Sequence, residues 1–111
     1  MTVVAGVLCS DGVVIGTDSS ATFIAGQAKT VEQPCKKITI VDELVIVAGT
    51  GSIGLGQRFV SVVEKLSKEK LFSNNSEIEV SKKICKSAID DFIFTHAPGG
   101  TFGALVAFPC Q

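Results

Sequence analysis

Residues 2–22 read TVVAGVLCSDGVVIGTDSSAT. Two β-rich apolar runs, Thr2 to Cys9 and Val13 to Thr17, flank Ser10-Asp11-Gly12. An Asp-Gly pair between such runs signals a hairpin, because glycine tolerates the positive φ of a tight turn. With the turn at Asp11–Gly12, the pairing sets Thr2 near Ala21 and Asp18 near Ala5. The chain therefore opens with an antiparallel hairpin, and Thr2 and Thr22 come to one end of it.

Downstream, Ser19 to Pro34 is small, polar and interrupted by Gly26, and reads as an irregular connection with at most one short strand. A second hairpin follows: Lys37 to Val41, a turn at Asp42–Glu43, then Leu44 to Ala48. Alternation of Lys37 and Thr39 with Ile38 and Ile40 suits a half-buried strand. From Ser52 the period changes. Leu55, Phe59, Val62, Val63 and Leu66 recur at helical spacing, with Arg58, Glu64, Lys65 and Lys68 opposite, predicting a helix that ends near Lys70. Ser73 to Asn75 is a loop. Ser76 and Glu79 form a capping-box signature ahead of a second stripe, Val80, Ile84, Ala88 and Phe92. His96 to Gly100, with Pro98, stops that helix, and Thr101 to Phe108 returns to strand.

Composition narrows the function. Of 111 residues 46% are hydrophobic and mean hydropathy is +0.44, apolar for one small domain. The longest apolar runs, such as Leu44 to Ala48 and Ala104 to Phe108, fall far short of the ~20 residues a spanning helix needs, and no basic-then-apolar leader opens the chain. No membrane role is expected. The surplus points to subunit contacts, or to a domain of which this chain is part, since an apolar strand at the end of a chain would leave an exposed sheet edge. Net charge is −1. Lys82, Lys83 and Lys86 form the densest basic run and read as a solvated helix face, so nucleic acid is not an expected partner. Cys9, Cys35, Cys85 and Cys110 are widely spaced, and His96 is the lone histidine. Reduced thiols in a cytoplasmic protein, with no metal and no cofactor, follow from that pattern.

Two motifs invite chemistry. Gly49-Thr-Gly-Ser-Ile-Gly54 fits G-x-G-x-x-G between a strand and a helix, the setting of a dinucleotide fingerprint. A Rossmann unit needs a parallel strand and an acidic residue after that helix, whereas a second helix follows here. Thr2 is the other. Once Met1 is removed, a terminal threonine carries a hydroxyl nucleophile and, in its own α-amine, a base with pKa near 8. Thr2, the Gly16-Thr-Asp18-Ser-Ser-Ala-Thr22 segment, Lys37 and the glycine turn at Gly49–Gly51 together supply a hydroxyl, a carboxylate, an ammonium and backbone N–H donors. Those are the parts acyl transfer requires.

The frame T-x-V-x-G-V, D-G-V-V-I-G-x-D-S-x-A-T, K-K-I and A-G-T-G resembles the proteasome β-type family of N-terminal-nucleophile hydrolases, from Thr2 to about Phe108. The connection from Asp18 to Lys37 is a few residues longer than usual. The resemblance implies an α+β fold, the αββα sandwich, here roughly half of it: antiparallel hairpins plus one two-helix layer in a single partial domain over 1–111. It implies Thr2 as nucleophile, Lys37 (or Lys36, given the longer connection) beside the hydroxyl to ease its deprotonation, Asp18 to hold that lysine, and Gly51 to donate its N–H to the oxyanion. Thr22 and Gly51 would bind a peptide as an added strand, with Ala21, Cys35, Gly49 and Ile53 lining the specificity pocket.

The expected function is threonine-type peptide hydrolysis inside a ring of like subunits, acting on peptide or unfolded-protein substrates. A non-catalytic ring or scaffold subunit, or an inactive fragment, is the alternative, and nucleotide binding through Gly49–Gly54 stands third. The family's second half brings a serine and an aspartate to the terminal amine, so this chain alone is expected to show no peptidase activity and poor solubility.

Overall fold

The computed structural model describes residues 3–24, 30–34, 36–73, 75–96 and 100–109, with the backbone alone along 20–24 and 30–34. Element order is β1 (Val4–Cys9), β2 (Gly12–Thr17), β3 (Ser20–Ile24), β4 (Thr30–Pro34), β5 (Ile38–Val41), β6 (Val45–Gly51), α1 (Ile53–Lys68), α2 (Glu77–Phe94) and β7 (Phe102–Ala107). All pairings are antiparallel: β1 with β2, β3 with β4, and a three-stranded sheet ordered β5-β6-β7. The fold is mixed α+β, two helices with antiparallel sheets.

The first hairpin forms in a different register from the one the Asp-Gly pair predicts. Cys9 pairs with Gly12 and Val4 with Thr17, so Ser10 and Asp11 make the turn and Gly12 begins β2. Neither of them, nor Gly12, takes positive φ, so the glycine is not serving as a left-handed turn residue. The two-residue shift sets Asp18 across from Val3 rather than Ala5. The segment read as an irregular connection holds a further hairpin, β3–β4, pairing Ser20 with Pro34 and Ile24 with Thr30.

The second hairpin turns over Asp42–Leu44, with Val41 opposite Val45, one residue beyond the pairing expected from a turn at Asp42–Glu43. Both residues are left-handed, φ 51° and 56°, and Leu44 N–H donates to Val41 O at 3.0 Å. That is a type I′ turn, whose twist matches that of the flanking strands.

Both helices follow their stripes. Leu55, Phe59, Val62, Val63 and Leu66 of α1 are buried, as are Val80, Ile84 and Ala88 of α2. All of these except Leu55 join Val41, Val45 and Val47 of the sheet in one core. Its centre is marked by Val45, Val63 and Val80, one each from β6, α1 and α2 and each fully shielded; burying such a side chain contributes about 1.5 kcal/mol or more. Helix α2 starts on a capping box: Ser76 Oγ accepts from Glu79 N–H, and Ser76 N–H donates to Glu79 Oε2. Helix α1 ends in a Schellman motif, with left-handed Lys70 donating to Ser67 O and Leu71 N–H to Leu66 O. A bidentate ion pair, Arg58 with Asp91, ties the two helices together.

On the other face of the sheet, Ala48 is buried outside the main core, and Leu105 beside it reaches to 3.5 Å of where a Gly6 Cβ would sit. The β1–β2 hairpin thus lies over the face that the helices do not cover, but only partly. Val7, Leu8, Val14 and Ile40 remain exposed, as do Ile89, Ile93 and Phe94 on α2. The radius of gyration, 15.1 Å, exceeds the ~13 Å of a compact domain this long, as an open-sided stack of layers requires.

Candidate functional site

The residues drawn together lie where β1 begins, β2 ends and β5 begins. Val3 N–H donates to Asp18 Oδ1 at 3.0 Å, and Asp18 N–H donates back to Val3 O at 3.2 Å. The other carboxylate oxygen, Oδ2, accepts from Lys37 Nζ at 2.9 Å. One side chain therefore fixes the backbone at the start of β1 and positions an ammonium beside it. The Lys37 side chain is only 10% exposed against 32% for Asp18, so the ammonium has lost most of its water and depends on fixed acceptors. Lys36, the alternative, is exposed. Thr2 lies outside the described residues; Val3, bonded twice to Asp18, is its neighbour in the chain.

Strand β6 runs on past β5. Gly49 N–H reaches Lys37 O at 3.4 Å, and Ser52 N–H donates to Thr101 O at 3.0 Å. Those two bonds set the alternation along the strand: the amides of Val45, Val47 and Gly49 turn toward β5, and those of the even-numbered residues toward β7. By the same alternation the Gly51 N–H leaves on the β5 side, beyond Lys37, about 7 Å along the strand from Gly49. Residues 49–51 pair with β7, Gly49 opposite Ala104, Thr50 opposite Gly103 and Gly51 opposite Phe102. Among the described residues, the ladder between β5 and β6 ends with Ile38 opposite Ala48.

Glycine is required twice here. Gly51 has φ 97°, and a Cβ on it would run into the Thr101 carbonyl oxygen. At Gly49 the space a side chain would fill belongs to the Phe102 ring, whose Cε2 lies 2.8 Å from the position of a Cβ. Gly54, third in the G-x-G-x-x-G match, meets only Ser52 Oγ at 4.0 Å. Strand β7 also returns antiparallel to β6, so these glycines do not open the parallel unit of a dinucleotide site.

Ile53, the first residue of α1, is 48% exposed. Ala21 and Thr22 lie on β3, opposite Gln33 and Glu32. Cys35 falls outside the described residues. The sequence did not single out Val3, Thr101, Phe102 or Gly56. Val3 was hidden by the hairpin register, and the others act through contacts between residues distant in the chain.

The chain was compared with known proteins. The family described as Proteasome subunit matches residues 2–107. The Proteasome subunit beta of Methanohalophilus mahii is 39% identical over 70 residues, 60% of this chain and 30% of the relative. That of Methanococcoides burtonii is 37% identical over 70 residues, with the same coverage. The chain thus spans under a third of the length of these curated relatives. No solved structure matches it.

Proposed function

The chain belongs to the proteasome subunit family, and from that premise we propose that it is the site-bearing part of an N-terminal threonine peptidase. Residues 1–111 form one partial domain, the first half of an αββα sandwich. After Met1 is removed, the Thr2 hydroxyl gives its proton to the Thr2 α-amine and attacks the scissile carbonyl. The lysine ammonium at residue 37 favours the developing alkoxide, and Asp18 holds that ammonium in place. The Gly51 N–H meets the oxyanion. Collapse expels the product amine with the proton from the α-amine and leaves an ester on Thr2, which water hydrolyses.

The observation that carries this reading is the double use of the Asp18 carboxylate, Oδ1 on Val3 N–H and Oδ2 on Lys37 Nζ. That sharing supports a role for the Lys37 ammonium beside the start of β1. On this reading a peptide lies along Thr22 and Gly51, with Ala21, Cys35, Gly49 and Ile53 around its side chain. Assembly with other proteasome subunits accords with the family, and we read those subunits as copies of this chain in a ring, in the cytoplasm. Exposed Phe94, Ile93 and Leu8, with Cys9 and Cys85 free, fit that setting.

A second reading, a ring subunit without turnover, accords equally with the family. Intact mass before and after incubation with a peptide epoxyketone separates the two, because that warhead needs a free α-amine and its neighbouring hydroxyl. Loss of Met1 with one adduct supports the peptidase. Loss of Met1 without an adduct supports the scaffold, and retained Met1 sinks the threonine mechanism for this chain.

A further inference from the structure

We propose that Phe102 is a positioning residue: its ring, with the Thr101 carbonyl behind it, holds the Gly49–Ser52 turn so that the Gly51 N–H keeps one direction, on the β5 side of β6. The role assigned to that N–H rests on the peptidase reading above; the backbone restraint does not.

Three contacts converge on the turn, all from the start of β7. Phe102 Cε2 lies 2.8 Å from the position of a Gly49 Cβ and 3.1 Å from that of a Gly56 Cβ. The ring therefore occupies a notch that exists because both positions lack side chains, one on the last turn of sheet and one on the first turns of α1. Phe59 closes the notch, its ring centroid 5.3 Å away and tilted by 50°. Meanwhile Thr101 O accepts the Ser52 N–H at 3.0 Å and fills the space where Gly51 would carry a Cβ. The backbone bond fixes one side of the turn, and the ring prevents β6 and α1 from closing over the gap.

Among the described residues, the pairing of β5 with β6 ends with Ile38 opposite Ala48, and the Gly49–Lys37 bond beyond it is long, 3.4 Å. From Gly49 onward the turn takes its ladder pairing from β7. A backbone at φ 97° readily reaches other basins when glycine occupies it, so its peptide planes keep one orientation only if neighbours enforce it. The neighbours that do so are Thr101 and Phe102, which separates the residue that donates from the residues that aim it.

The test combines Phe102→Leu, which keeps an apolar side chain at the notch but cannot span both glycines, with Gly56→Ala, which displaces the ring from the helix side. Amide hydrogen exchange is followed at Ser52 and, as the core reference, at Val63. Both variants should speed exchange at Ser52 at least about tenfold relative to Val63. In the same proteins the maximal rate of epoxyketone adduct formation should fall about tenfold while the half-saturating probe concentration stays within about twofold. Ser52 and Val63 accelerating in parallel would overturn the proposal, reducing Phe102 to ordinary core packing. Faster Ser52 exchange with an unchanged adduct rate would remove its link to the site. Should the unaltered protein form no adduct, the peptidase reading fails, and the Ser52 to Val63 comparison still decides whether Phe102 holds the turn.

Discussion

Asp18 and Val3 are joined by two hydrogen bonds running in opposite directions, one through the aspartate side chain and one through its backbone. The side-chain bond consumes one carboxylate oxygen and leaves the other to Lys37. Tethering of the chain's start and placement of the cation are thus functions of the same residue.

Asp18→Asn separates them. The amide oxygen can still accept from Val3 N–H, but the NH2 group cannot accept from the Lys37 ammonium. Stability should fall by about 1–2 kcal/mol, since a charge-assisted bond is lost and a largely buried ammonium keeps its charge. Adduct formation at Thr2 should fall at least about a hundredfold, two decades being about 2.7 kcal/mol. Urea titration and the time course of the epoxyketone adduct measure the two effects, and an unchanged adduct rate would detach Asp18 from the chemistry.

Lys37 and Lys36 are distinguished by substitution. Lys37→Ala should abolish adduct formation, while Lys36→Ala, at an exposed position, should leave its rate within about threefold, as is usual for surface changes. The reverse ranking would move the active-site lysine to residue 36.

Gly51→Ala places a Cβ against the Thr101 carbonyl at a backbone angle that L-residues avoid. It should destabilise the protein by about 2 kcal/mol or more, combining the left-handed penalty with a backbone clash. Thermal or urea unfolding reads the cost, and a change below about 0.5 kcal/mol would contradict the close approach of β7.

Glu43→Gly should do the opposite. Glu43 sits at φ 56° in a type I′ turn, at the other end of β5 from Lys37, and glycine removes its left-handed penalty. A gain of about 1 kcal/mol in urea unfolding, with adduct kinetics untouched, is the expected result.

The helices were legible in the sequence because their signals are local, a 3.6-residue stripe and a capping box, and the second hairpin was legible to within one residue of its register. The first hairpin was legible as a hairpin but misaligned by two residues. The Asp-Gly cue assumes that glycine sits inside the turn, whereas Gly12 pairs with Cys9 at the head of the strand. Strands β3 and β4 were obscured by small polar residues that give no alternation. Asp18 and Lys37 could be matched as a pair from the family frame, but Val3 as the third member could not, since it contributes only backbone. The wedge at Phe102 was out of reach for another reason. Gly49 reads as part of a glycine turn and nothing in the sequence links it to Gly56, until an aromatic from β7 is seen filling both vacancies.

The carboxylate shared between Val3 and Lys37 also bears on timing during synthesis. Its partners are far apart along the chain and meet only once β1, β2 and β5 have assembled. A nascent or misfolded copy would carry the same threonine with no cation beside it and no fixed direction of approach. On the peptidase reading, proteolytic competence is then acquired late, as a by-product of correct folding, and an immature chain is harmless to its surroundings without any separate inhibitor.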